Sequence, residues 1–198
     1  MSRIAMVLSV TALLTGCSPG TLESGTDELS PYIICAGGDT EDCVDPDHQA
    51  VGLVCTAEAR TAEDCHCTGT LVGPRSVLSA AHCLKDPSVF FVLDSGAVLP
   101  AAGSVKHPSH AGDGEPYDIA LVTLQNPSDV EPILLATHPP SPGQALTLIG
   151  YGTTACRQVM VDGQPTLVCE DDEGVKRLAE NTVEEVTDLV VTFTGRGT

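Results

Sequence analysis

The sequence predicts an all-β fold, an antiparallel barrel or sandwich, and three observations support that prediction. Short runs rich in Val, Leu and Ile are separated by turn residues at short intervals. The 19 glycines and 14 prolines in 198 residues suit a loop-rich β chain better than a helical one. No stretch shows the sustained apolar period of about 3.6 residues that marks an amphipathic helix.

The predicted strands fall into two sets along the chain. The first set occupies residues 50–55, 68–72, 77–81, 89–93 and 118–124. The second set occupies residues 145–149, 177–186 and 189–193. Between the sets, residues 126–143 contain five prolines, which favour a connector over a central strand. We therefore predict two β units, the first nearly complete over residues 48–125 and the second partial.

The first 17 residues predict an export signal. Arg3 precedes an apolar run of 11 residues, Ile4 to Leu14, which is too short to span a bilayer as a helix. The run ends in the letters LTGC, which resemble the cleavage box of bacterial lipoproteins. That resemblance implies cleavage before Cys17 and acylation of Cys17, which would anchor the protein to a membrane of the cell envelope, by resemblance the outer membrane. The alternative is an ordinary secretory signal that happens to contain a cysteine.

Charge and cysteine content limit the partners and the compartment. The formal net charge of -18 argues against nucleic acid as a partner, because such a surface repels phosphates. Nine cysteines predict an oxidising compartment, and setting Cys17 aside leaves an even number to pair. Cys156–Cys169 would close a loop of acidic and turn residues, whereas Cys35, Cys43, Cys55 and Cys65 are near neighbours whose pairing stays open. Zinc at the Cys65-His66-Cys67 triplet is the competing interpretation, and it lacks a second ligand pair.

One segment contains the first candidate catalytic residue. It reads CTGTLVGPRSVLSAAHC from Cys67 to Cys83, with two apolar runs on either side of a Gly-Pro turn. This pattern predicts two short strands, and small residues lead from the second strand into His82. Histidine is the residue that most often acts as a general base, because imidazole gains and loses protons near neutral pH.

A second segment, YDIALVTL from Tyr117 to Leu124, places an acid at the start of an apolar strand. A carboxylate in that position is costly to bury unless a polar group pairs with it. A histidine ring is a suitable partner, since the carboxylate fixes the tautomer and stabilises the imidazolium. The alternative is that Asp118 only caps the end of the strand. His107 and His110 are assigned to the loop that precedes it.

Together these segments resemble the histidine and aspartate motifs of the trypsin-like (chymotrypsin-fold) serine endopeptidases, with Thr68 as a departure. The resemblance covers residues 33–198, which would follow the signal peptide of residues 1–17 and a flexible tether of residues 18–32. It implies a double antiparallel β-barrel, a Cys67–Cys83 disulfide, and peptide-bond hydrolysis by a Ser-His-Asp triad. His82 would be the general base and Asp118 the orienting acid. The implied partner is a protein or peptide substrate, and we expect no cofactor and no metal ion.

The nucleophile is the part of the triad that the resemblance does not supply. The family takes its serine from the letters GDSGG, which do not occur in the 198 residues. We therefore expect a chain truncated before the nucleophile segment, one that does not hydrolyse peptides alone. Two alternatives stay open: a non-catalytic, protease-like binding lipoprotein, and a protein that completes a protease with a separately encoded second part. The pocket residues that set cleavage specificity would belong to the missing segment.

The predicted anchor can be tested by changing one residue. If Cys17 is acylated, the protein should incorporate labelled palmitate and partition into the detergent phase. Cys17→Ser should abolish labelling and either release the protein or block its processing. A wild-type protein that is soluble, unlabelled and begins at another residue would reduce the segment to an ordinary secretory signal.

Overall fold

The computed structural model describes residues 43–56, 65–85, 88–112, 117–152, 155–161, 164–170, 174–187 and 191–192. The predicted signal peptide and tether lie outside these residues. Twelve strands follow one another: β1 (Val51–Cys55), β2 (Cys65–Gly73), β3 (Ser76–Ser79), β4 (Phe90–Val92), β5 (Val98–Lys106), β6 (Ala120–Leu124), β7 (Ala145–Gly150), β8 (Ala155–Val161), β9 (Gln164–Glu170), β10 (Arg177–Thr182), β11 (Glu185–Val186) and β12 (Val191–Thr192). The described parts of the chain contain no α-helix, and the predicted all-β class is confirmed.

The first six strands form a closed antiparallel barrel in the order β1-β2-β3-β6-β5-β4. β1 pairs with β2 along one side and with β4 along the other, which closes the cylinder and leaves no free sheet edge. β6 alternates buried and exposed residues, so that Ala120, Val122 and Leu124 point into the core. The predicted first unit is therefore a complete barrel.

The barrel core is packed around a single aromatic ring, that of Phe91, which is fully buried. Two glycines leave room for this ring. A Cβ added to Gly52 would lie 2.8 Å from Phe91 Cε2, and one added to Gly69 would lie 3.2 Å from the same atom and 2.7 Å from Val54 Cγ2. Distances this short are clashes, so both strands need glycine where they cross the ring. The glycine of the CTGTLV run is thus a packing requirement.

β5 is a strand that the sequence pattern did not predict. Its sequence, VLPAAGSVK, contains Pro100 and Gly103, and both residues lower the strand signal. In the structure, Pro100 ends the pairing with β4, and from Ala101 onwards the strand pairs with β6 instead. The register shifts between Ala101 and Gly103 as this exchange occurs. Proline is tolerated because it lies where one hydrogen-bonded ladder ends and the next begins.

The second unit is partial, as the sequence predicted. β7 pairs with β10, and two further pairs, β8 with β9 and β11 with β12, complete the described strands. The segment between Cys156 and Cys169 forms the β8–β9 hairpin, in which these two residues lie opposite each other. Their side chains lie outside the described part of the structure, and the Cys156–Cys169 disulfide stays a prediction.

Lys176 joins the two units through a cluster of polar side chains in which Lys176 and Asp45 are buried and Asp94 is exposed. The Lys176 side chain is only 2% exposed, and Nζ lies 2.5 Å from Asp94 Oδ2 and 3.7 Å from Asp45 Oδ2. It also donates a hydrogen bond of 2.8 Å to the carbonyl oxygen of His48. The Tyr151 hydroxyl donates to the same Asp94 carboxylate. Lys176 thus links the first barrel, the segment before β1 and the second unit through one ammonium group.

Asp45 is the fully buried anion of this cluster. Burial alone would raise the pKa of Asp45. The pKa is lowered overall, because hydrogen bonds from the His48 ring and the Asp47 amide outweigh burial, together with the charges of His48 and Lys176. Burial and the Asp94 carboxylate raise the pKa of Tyr151, so this phenol stays protonated. Because its folded-state pKa is lowered, Asp45 adds stability that is present above about pH 4 and lost as the pH falls through that lowered value.

Removing the ammonium group should destabilise the whole assembly. Lys176→Met keeps the length of the side chain but removes the ammonium group that binds Asp94 and lies near Asp45. We expect a loss of about 1.5–3 kcal/mol, the typical contribution of a hydrogen bond to a charged group. We expect a lower midpoint of urea unfolding, read by circular dichroism. Lys106→Met is the matched control, because Lys106 is exposed on β5, and we expect a change of less than about 0.5 kcal/mol. Equal midpoints for the two variants would contradict the role assigned to Lys176.

Candidate active site

His82 lies three residues after the end of β3, at the rim of the barrel. Ala80 and Ala81 are both fully buried, so only small side chains fit between the end of the strand and the histidine. The Ser79 hydroxyl donates a 2.9 Å hydrogen bond to the carbonyl oxygen of Thr68 on β2. The amide of Leu84 donates to the carbonyl oxygen of Ala81, which forms a turn around His82. The small residues that precede His82 are therefore explained by packing.

Two disulfides hold this end of the barrel. Cys67–Cys83 fixes the residue after His82 to β2, with Cα atoms 6.0 Å apart, and the pairing implied by the family resemblance is confirmed. Cys55–Cys65 joins the end of β1 to the start of β2. The sulfurs of Cys67 and Cys83 lie close to the His82 ring. Because the described cysteines around this ring are bonded in disulfides, they offer no thiolate for zinc. Cys35 lies outside the described residues.

Asp118 enters the site from the loop just before β6. Tyr117, the preceding residue, has φ of 67°, a left-handed backbone conformation that is uncommon outside glycine. The Tyr117 ring stacks on the His107 ring, with centroids 4.7 Å apart and planes 9° from parallel. The His107 amide donates to the carbonyl oxygen of Ile119, which extends the β5–β6 pairing by one bond. The stack and this bond hold the strained turn that aims Asp118 at the histidine.

The two predicted site residues meet through two hydrogen bonds. The His82 amide lies 2.8 Å from Asp118 Oδ1, and the His82 Nδ1 lies 2.5 Å from Asp118 Oδ2. The carboxylate is 5% exposed and the imidazole 30% exposed. With Nδ1–H donated to the carboxylate, the lone pair of the neutral ring lies on Nε2. Nε2 is 3.5 Å from Cys83 Sγ, a disulfide sulfur that has no proton to donate. The arrangement can accept a proton at Nε2 and stabilise the resulting imidazolium.

His110 is the residue near this pair that the sequence interpretation missed. It was assigned to the loop before Asp118, and the structure places it there. Its Nδ1 lies 3.8 Å from Asp118 Oδ1, and its side chain is 10% exposed. No periodic signal in the sequence indicates this contact, because His110 lies outside the strands.

Comparison with known proteins identifies the family. A family model described as Trypsin matches residues 47–189, which include the whole barrel, His82 and Asp118. The chain belongs to the trypsin family. This family consists of trypsin-like serine proteases. The predicted resemblance is confirmed at the level of the family.

Individual trypsin-family relatives match about half of this chain. Kallikrein-5 of Homo sapiens is 33% identical over 107 residues, which cover 48% of this chain and 36% of the relative. Kallikrein-8 of Rattus norvegicus is 36% identical over 107 residues, covering 46% of this chain and 41% of the relative. The solved structure of neuropsin, a serine protease expressed in the limbic system of mouse brain, superposes with a TM-score of 0.54 at 26% identity. It is matched over 72% of this chain and 63% of its own.

The chain spans less than half the length of these curated relatives. The disulfides of the barrel fit an exported protein, since such bonds persist in oxidising compartments. Over the residues that the structure describes, no helix has the length and apolar character needed to cross a membrane.

Proposed function

We propose that this chain supplies the general base and the orienting acid of a serine endopeptidase. The observation that carries the proposal is the double hydrogen bond between His82 and Asp118 at the rim of a closed barrel. A carboxylate that only capped a strand would not need a histidine ring at 2.5 Å. Membership of the trypsin family supports the same chemistry, because its members are serine proteases.

The role of each residue follows from its hydrogen bonds. A serine hydroxyl is a weak nucleophile until a base removes its proton, and His82 Nε2, the ring nitrogen that is not bonded to Asp118, would take that proton. As the proton arrives at Nε2, the ring becomes cationic, and the buried Asp118 carboxylate stabilises the charge through Nδ1–H. The same proton can then pass from Nε2 to the amine that leaves when the peptide bond breaks. Asp118 needs to orient the ring and does not itself need to take up a proton.

The proposal includes a nucleophile from outside these 198 residues, because the letters GDSGG are not among them. In subtilisin, a protease with the same triad, losing the serine alone lowers turnover by about 10⁶-fold. Asp94-Ser95-Gly96 is not a substitute, since Asp94 is bound by Lys176 and Tyr151 in the turn after β4. We propose that a further segment supplies the serine, the oxyanion hole and the specificity pocket, and that acylated Cys17 attaches the enzyme to the membrane.

The test is to join the missing segment to this chain. DNA beyond the codon for Thr198, translated in all three frames, should encode GDSGG within a short distance. The joined protein should cleave peptides and be labelled by serine-directed phosphonates, whereas the 198-residue chain alone should not be labelled. His82→Ala in the joined protein should lower turnover by at least about 10⁴-fold, because the serine loses its base.

His138→Ala is the matched control, because His138 is exposed in the connector and should be replaceable without loss of activity. Two outcomes would contradict the proposal. The first is a joined protein that stays fully active after the His82→Ala substitution. The other is flanking DNA without the motif in any frame together with a short chain that folds stably, which would favour the binding lipoprotein instead.

A further inference from the structure

The Nδ1 atom of His110 is a buried polar atom that makes no hydrogen bond. The side chain is nine-tenths buried, and Nδ1 is closed to solvent. Among the described residues, only Thr70 Oγ1 shares that condition. An unsatisfied buried donor or acceptor costs folding free energy, so each such atom in a native structure needs a reason.

A carboxylate oxygen of the candidate active site lies close to His110 Nδ1. Asp118 Oδ1 is 3.8 Å away, which is too long for a hydrogen bond but needs a movement of less than about 1 Å to become one. Hydrogen bonds in active sites without a bound substrate are often long and tighten in the reacting complex. The unpaired nitrogen provides the driving force for that movement, because closure satisfies a buried atom.

His107, the other histidine described in this loop, makes different contacts. Its Nδ1 accepts a 3.1 Å hydrogen bond from the Ser109 amide, and its ring stacks on Tyr117. The His110 amide donates to the carbonyl oxygen of His107, so both histidines belong to one turn over Asp118. His107 therefore fixes the backbone before Asp118, and His110 faces the carboxylate itself.

We propose that His110 is a positioning residue for Asp118, a role that rests on the proposed function of the His82–Asp118 pair. His110 Nδ1–H closes onto Oδ1, the oxygen that already accepts the His82 amide. The additional donor restrains rotation of the carboxylate about its Cβ–Cγ bond. Oδ2 is thereby kept in line with the His82 ring, and the ring keeps its proton on Nδ1. His110 acts through Asp118 and does not contact the substrate.

Two substitutions separate the donor from the shape of the ring. His110→Phe fills a similar volume without a donor, whereas His110→Asn keeps an amide N–H near the position of Nδ1. Both are made in the full 198-residue chain with ¹⁵N-labelled histidine. NMR then follows the His82 Nδ1 proton and its exchange with water, which reports the His82–Asp118 bond without needing activity.

We expect slow exchange of the His82 Nδ1 proton in the wild-type protein and in His110→Asn. In His110→Phe the exchange should be about tenfold faster, the effect of losing one hydrogen bond to a charged acceptor. His138→Phe is the control and should match the wild-type rate, because that side chain is exposed.

The outcomes distinguish this inference from the proposed function. If the wild-type protein shows no hydrogen-bonded proton on His82 Nδ1, the proposed roles of His82 as base and Asp118 as orienting acid are wrong. A bonded proton whose exchange is unchanged in folded His110→Phe would overturn only the role of His110. If His110→Phe does not fold, His110→Leu, which also lacks the donor, replaces it: faster exchange supports the inference, and unchanged exchange in a folded protein overturns it.

Discussion

The structure of the site depends on one buried carboxylate that must be satisfied. Asp118 stands at the entry to an apolar strand, and an unpaired charge in that position would cost several kcal/mol. His82 supplies both the backbone N–H and the ring N–H that the carboxylate needs. The residues around them serve this contact: small alanines before the histidine, a disulfide after it, and a stacked pair of rings before the aspartate. Folding of the barrel therefore brings the two residues of the pair together.

Closure of the first barrel is what makes this possible within a chain that matches only part of its relatives. β3 precedes His82 and β6 follows Asp118. These two strands pair directly, with Ser79 opposite Ala120 at the end nearest the site. The two halves of the pair therefore come from neighbouring strands of a cylinder without free edges. The second unit is attached at a different place, through Lys176, whose ammonium group binds the turn after β4 and the segment before β1.

Much of this arrangement could be predicted from sequence, and the failures have physical causes. The His82 and Asp118 segments were recognisable because local packing fixes their small and apolar neighbours. β5 was missed because Pro100 weakens a strand signal, although it lies where the strand changes partners. The Lys176 cluster and the His110 contact were missed because each depends on how loops fold back onto other parts of the chain. Neither periodicity nor motif spacing records such folding.

Hydrogen exchange at the His82 amide tests most directly whether the barrel alone assembles the pair. This amide donates to Asp118 Oδ1 at 2.8 Å, outside any strand ladder, so its protection depends on the carboxylate. We expect strong protection of this amide in the 198-residue chain and loss of that protection in Asp118→Ala. The amides of β1, which lies across the barrel from β6, should stay protected in both proteins. A His82 amide that exchanges at the unprotected rate in the wild-type chain, or one whose protection survives Asp118→Ala, would contradict the coupling of barrel folding to assembly of the pair.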